Sequence, residues 1–206
     1  MTAQLIEPPS WSGAAHARNL ASTAMRVTYK VHPHGNHNVG SQGPALLVCR
    51  SEGILAGALI HATVPRPVHV VANAAMSRAL RQGMLTRAGV IPVRDETAID
   101  AQWLAQAALE DDRAVAITGA AVSPAYLLAM TGAPLVPVVV LGGEGRVPTD
   151  PPRPRSRIDV YFFEPIRVRV PGDPLRATTR TAIEEQVRQA LSDAEEIAAR
   201  RSGRVT

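Results

Sequence analysis

The sequence predicts a single α/β domain with a mostly parallel central sheet flanked by helices. Three observations carry this. Short apolar runs and helical periods alternate from residue 45 to residue 141, which is the rhythm of strand–helix–strand units. Leu135–Leu141 is nearly uninterrupted apolar sequence, the pattern of a strand buried on both faces rather than at an edge. The chain has 206 residues, 46% hydrophobic and 19% charged, enough for one sizeable core and too few for two ordinary domains.

Residues 1–25, rich in Ala, Ser and Pro, read as an N-terminal extension, a loop or short helix outside the main fold. The domain proper is expected over 26–206. Arg26–His32 alternates, with Val27, Tyr29 and Val31 on one side, as a half-buried strand does. A Gly and Pro-punctuated stretch follows, ending in the short apolar strand Ala45–Cys49. Next come a helix from about Ser51, a strand at 68–72, a helix at 74–87 and a strand at 90–93. The segment 97–110 is helical by its apolar spacing at Ile99, Trp103, Leu104 and Ala107, and a strand at 114–117 succeeds it. Pro124–Thr131 should be a helix capped by Gly132 in the left-handed conformation. A Pro and Arg-rich connector at 148–157 leads to a strand carrying Ile158, Val160 and Phe162. One amphipathic helix closes the chain, with Ile183, Val187, Leu191 and Ile197 on its apolar face.

Composition also excludes function classes. Aromatics are only 3%, so base stacking on single-stranded nucleic acid is not expected, and no nucleic-acid partner is assigned. The net charge is +4, with Lys30 the only lysine among 22 basic residues. Arginine forks suit anionic partners such as a phospholipid surface, phosphorylated metabolites or an acidic carrier protein. The arginines at 153, 155, 157, 167 and 169 offer a basic rim, or ordinary solvated charge interleaved with Asp159 and Glu164. Cys49 is the single cysteine, so no intrachain disulfide forms and a reducing, cytoplasmic compartment is expected. No run reaches the roughly 20 apolar residues of a membrane helix. The segment from Trp11 to Met25, with Leu20, is the candidate for contact with the inner face of a membrane.

His32, His34 and His37 crowd one loop, but their spacing lacks the companion carboxylate or thiolate of a metal site, and none is assigned. A thiol at a strand end facing a helix can be activated, which makes Cys49 a candidate nucleophile; the alternative is a small buried hydrophobe. Glu52 reads as a complement to the helix dipole.

Several phrases occur in the order of a known family. Gly43-Pro44-Ala45-Leu46-Leu47-Val48, Pro65-Arg66-Pro67-Val68, Gly89-Val90-Ile91-Pro92-Val93-Arg94, Thr131-Gly132-Ala133-Pro134-Leu135-Val136-Pro137 and Phe163-Glu164-Pro165-Ile166 together resemble the 1-acylglycerol-3-phosphate (glycerolipid) acyltransferases. The resemblance implies acyl transfer from acyl-coenzyme A or acyl-carrier protein to a lysophospholipid or other hydroxyl acceptor, with no cofactor. It also implies a histidine followed five residues on by aspartate, the imidazole serving as general base. By register these fall near Cys49-Arg50 and at Leu55, where no histidine or aspartate stands. The family's Phe-Pro-Glu-Gly-Thr-Arg-Ser loop is likewise missing after Thr118-Gly119. The resemblance assigns substrate contact to Arg50, Asn73, Arg94, Thr118 and Gly119.

The sequence therefore points to a degenerate acyltransferase-like protein that binds a lipid, an acyl thioester or a protein partner. Two alternatives stand beside it. One is an active acyltransferase using a non-standard residue such as Cys49 or His37, and the other is a structural subunit of a biosynthetic complex.

Overall fold

The computed structural model describes residues 11–51, 53–71, 88–93, 98–120, 122–147 and 150–203. The described strands are β1 (Lys30–His34), β2 (Ala45–Cys49), β3 (Val68–Val71), β4 (Ala114–Thr118), β5 (Leu135–Leu141) and β6 (Arg157–Phe162). They form one sheet in the order β1-β6-β5-β2-β4-β3. The four strands β5, β2, β4 and β3 run parallel, β6 is antiparallel to β5, and β1 is parallel to β6. The α/β class and the mostly parallel sheet are as expected, and β5 lies inside the sheet.

The described helices are α1 (Trp11–Thr28), α2 (Ala56–Thr63), α3 (Ile99–Glu110), α4 (Pro124–Thr131) and α5 (Ala177–Ser202). Period-2 alternation along the strands splits the core between the two faces. Leu47, Cys49, Val70, Ala116, Val138 and Val160 pack with Leu59 and Ile60 of α2. Leu46, Val48, Val115, Ile117 and Leu135 pack on the other face with α3, α4 and the first half of α5.

The N-terminal segment departs from its expected form. Residues 26–28 belong to α1 rather than to a strand, and Val27 is exposed, because the alternation there continues a helical turn. The helix is packed on the domain: Ala14 is fully buried, and Arg18 Nε donates to the Val64 carbonyl at 3.1 Å. Met25 joins the core while Leu20 points to solvent. The side chain of Trp11 lies outside the description.

Other boundaries shift for local reasons. The helix expected from Ser51 starts at Ala56, after a turn in which Ala56 N–H donates to the Gly53 carbonyl. The strand expected at 90–93 is a single bridge between Ile91 and Val71. The buried face of α3 is Ala101, Ala105, Ala108 and Leu109, with Ile99 and Trp103 half exposed; small alanines let this helix approach the sheet closely. On α5 the apolar face continues through Ala194 and Ala198 instead of Ile197, which is partly exposed. The C-terminal cap of α4 is as expected, with Gly132 at φ 63°, and at its N-terminus Ser123 Oγ accepts from Tyr126 N–H. The expected helix at 74–87 lies outside the described residues. Among those described, no helix is long and apolar enough to cross a membrane.

Candidate functional site

The carboxyl ends of β2 and β4 bring together four residues that the sequence singled out. Cys49 and Thr118 are register partners, and Gly119 N–H donates to the Cys49 carbonyl at 3.2 Å. Gly119 takes φ 74°, a left-handed conformation that glycine adopts without strain. Arg50 follows directly, and its Nη1 lies 2.8 Å from Glu195 Oε2 on α5. Leu55, at the head of α2, is partly buried against the core. Asn73 and Arg94, assigned to substrate with these, lie outside the described residues, as does Glu52.

The surroundings of Cys49 do not favour a thiolate. Cys49 is buried, and burial pushes its thiol up to about 11, with the charges of Glu195 and Glu144 acting in the same direction. That environment keeps the thiol protonated and its nucleophilicity low. The Arg50 guanidinium offers N–H donors and no acceptor. Thr118 Oγ1 is buried without a hydrogen-bond partner. Ser51 Oγ donates to Glu144 Oε1 at 2.8 Å and accepts from Gly53 N–H. No local pattern foreshadows the Ser51–Glu144 and Arg50–Glu195 contacts, because their partners lie 93 and 145 residues away.

All six histidines lie among the described residues, and none stands at the β2 turn. His61 Nε2 meets the Ala14 carbonyl at 3.0 Å, and burial lowers its pKa to about 4. His69 Nδ1 meets the Gly89 carbonyl at 2.8 Å, and burial lowers its pKa as well. Both are held neutral inside the fold. His16 caps back onto the Ser12 carbonyl within α1.

His34 is different. Its Nε2–H donates to Asp159 Oδ1 at 3.1 Å, and its ring stacks on Tyr161 with centroids 4.4 Å apart. The Asp159 side chain is 2% exposed, that of His34 40%. Arg157 grips the same carboxylate with Nε and Nη2, each at 3.0 Å. Burial raises the Asp159 carboxyl, but the hydrogen bonds from Arg157 and His34 outweigh it and hold it below the usual carboxylate range. This pair borders a groove of about 590 Å³ lined by His34, His37, Tyr161, Phe163, Ile197 and Arg201. β6 and β5 separate β1 from β2, which puts His34 three strand spacings from β2 and Asp159 two, roughly 14 and 10 Å at about 4.8 Å per strand.

His37 sits on a 3-10 turn, Asn36–Val39. The turn is pinned by Asn36 Nδ2 on the Thr63 carbonyl and Asn38 Nδ2 on the Phe162 carbonyl, so it is an anchored element of the fold. Among the described residues no three His, Cys, Asp or Glu side chains come together in a group fit for a metal ion. Of the expected basic rim, Arg157 is committed to Asp159. Arg153 borders a second groove, about 720 Å³, whose lining mixes Arg146 with Glu144 and Asp150.

No protein-family model matches the chain, and no curated protein matches it in sequence. Among solved structures it is similar to the crystal structure of the 1-acyl-sn-glycerophosphate (LPA) acyltransferase PlsC from Thermotoga maritima. The TM-score is 0.60 at 15% identity, over 88% of this chain and 79% of that one. The fold is acyltransferase-like.

Proposed function

We propose that this chain is a catalytically degenerate protein of acyltransferase-like fold that binds a lipid or acyl thioester, or a protein partner, without transferring the acyl group. One observation carries the reading. At the β2 turn, Arg50 is tied to Glu195 and Cys49 is buried with its thiol pushed up to about 11, so neither of the two residues at the position of the family's base takes a proton from an acceptor hydroxyl. The sheet, its flanking helices and the carboxyl ends of β2 and β4 remain as a scaffold for an acyl chain. An acyl donor, whether coenzyme A ester or acyl-carrier protein, is a substrate-type ligand in this scheme and not a cofactor.

The test is native mass spectrometry of freshly purified protein, joined to an acyl-transfer assay with lysophosphatidate and a labelled acyl thioester. A bound lipid mass with no transfer supports the proposal. Transfer of the labelled acyl group, or a protein that retains no lipid, thioester or protein partner, contradicts it.

A second reading has its own observation, the His34–Asp159 pair at a groove with apolar walls. A buried carboxylate that orients a half-exposed imidazole is the arrangement of a general base. In that reading His34 Nδ1 takes the proton of an acceptor hydroxyl, whose oxygen attacks the thioester carbonyl. The thiolate leaves and recovers the proton from the imidazolium. It predicts turnover that His34→Ala abolishes and Cys49→Ala leaves intact.

A further inference from the structure

Arg66 stands between Pro65 and Pro67 at the entry to β3, and only 6% of its surface reaches solvent. Its Nε and Nη2 are both buried, and neither has a hydrogen-bond partner. These two nitrogens share one edge of the guanidinium, and together they make the fork that grips a single oxyanion. This chain shows the fork filled elsewhere: in Arg157 the same two atoms hold the two oxygens of Asp159. Among the described residues no carboxylate pairs with Arg66.

An unpaired buried cation is costly, and arginine does not escape the cost by losing its proton. Burial is what acts on the Arg66 guanidinium, lowering its pKa, and a second guanidinium belongs to the same junction. Arg18 is fixed on the Val64 carbonyl, two residues before Arg66, and its charge already acts on the buried His61. Two flanking prolines stiffen the backbone on either side, and burial of the side chain leaves the guanidinium little freedom to lose on binding.

We propose that Arg66 is an anion seat, completed by a phosphate group whose oxygens take the hydrogens of Nε and Nη2. Arg18, held on the Val64 carbonyl, brings a second cation to this junction of α1, α2 and β3, and two cations suit a dianion better than a single carboxylate. The phosphate is either free or the headgroup of a lipid; the site asks only for two oxygens spaced for the fork. The proposal is independent of whether the β2 turn supports catalysis.

Thermal unfolding in phosphate-free buffer tests it, with inorganic phosphate and then lysophosphatidate added at matched ionic strength in chloride. Wild type should gain melting temperature with phosphate in a saturable way. Arg66→Met, of similar length and without charge, should melt above wild type before addition and gain nothing on it. Arg66→Lys keeps the charge but loses the fork, and should need at least tenfold more phosphate for the same gain; it decides the matter if the Met variant does not fold. A larger gain with lysophosphatidate than with phosphate at equal concentration identifies a lipid headgroup, and equal gains identify free phosphate. No gain with either ligand, or gains that the variants share with wild type, overturns the proposal.

Discussion

His34 Nε2 lies 3.1 Å from Asp159 Oδ1, although 125 residues separate them in the chain. The contact arises because β1 pairs with β6 in parallel, with His32 opposite Asp159 and His34 opposite Tyr161. His34 thus reaches diagonally across to the carboxylate that Arg157 already holds. A buried acid with three donated hydrogen bonds on its two oxygens organises the end of this sheet.

Asp159→Asn should destabilise the protein by about 1–3 kcal/mol at neutral pH, the range for a buried group that loses charged hydrogen-bond partners. The sign with pH follows from the depressed folded-state pKa of Asp159. Its stabilisation is present above the unfolded value, 3.8, and is lost as pH falls through the lower folded value. Urea unfolding at pH 7 and at pH 3 should therefore show a gap between wild type and variant that narrows in acid.

His61 sets a separate acid limb. Its pKa is near 4 in the fold against 6.5 when free, so below 6.5 the unfolded chain binds a proton that the folded one refuses. Stability should fall as pH drops from 6.5 to about 4 and then flatten, by up to about 3 kcal/mol from this residue. His69, also lowered by burial, adds to the same slope. His61→Gln, which keeps an amide donor near the Ala14 carbonyl, should flatten the curve between those limits; an unchanged slope in chemical unfolding would show that His61 does not titrate this way.

Gly35 has φ 67°, and a Cβ there would collide with the Phe162 carbonyl. Gly35→Ala should cost at least about 1–2 kcal/mol from the left-handed backbone alone. It should also shift the turn that carries His37 and the end of β1 that carries His34. Heteronuclear NMR of the imidazoles should report both changes against an unaltered His69.

The Arg50–Glu195 ion pair is 2.8 Å long but each side chain is 42% exposed. A double-mutant cycle should give a coupling below about 1 kcal/mol, falling further in high salt. The pair's part is to commit Arg50 to α5, and not to hold the fold together.

Much of the architecture was legible locally. Leu135–Leu141 announces an interior strand by its nearly unbroken apolar run, and Gly132 marks the end of α4. The N-terminal helix was misread because Val27, Tyr29 and Val31 alternate across a boundary: the helix ends at Thr28 and the strand starts at Lys30. Alanines misled on α3 and α5, where small residues face the sheet and larger ones such as Trp103 and Ile197 do not. That no histidine stands at the β2 turn and no aspartate at position 55 is read from the sequence alone. The pairs that occupy that end, and the His34–Asp159 contact, needed the sheet order, since β1 comes early in the chain and its neighbour β6 late.

The central claim is that the β2 turn carries no working base. A single-turnover assay with labelled acyl thioester and lysophosphatidate, run on wild type, Arg50→His/Leu55→Asp, His34→Ala and Cys49→Ala, tests it most directly. The account predicts no transfer above buffer by wild type and by the two alanine variants. Transfer by wild type that His34→Ala or Cys49→Ala removes would contradict it.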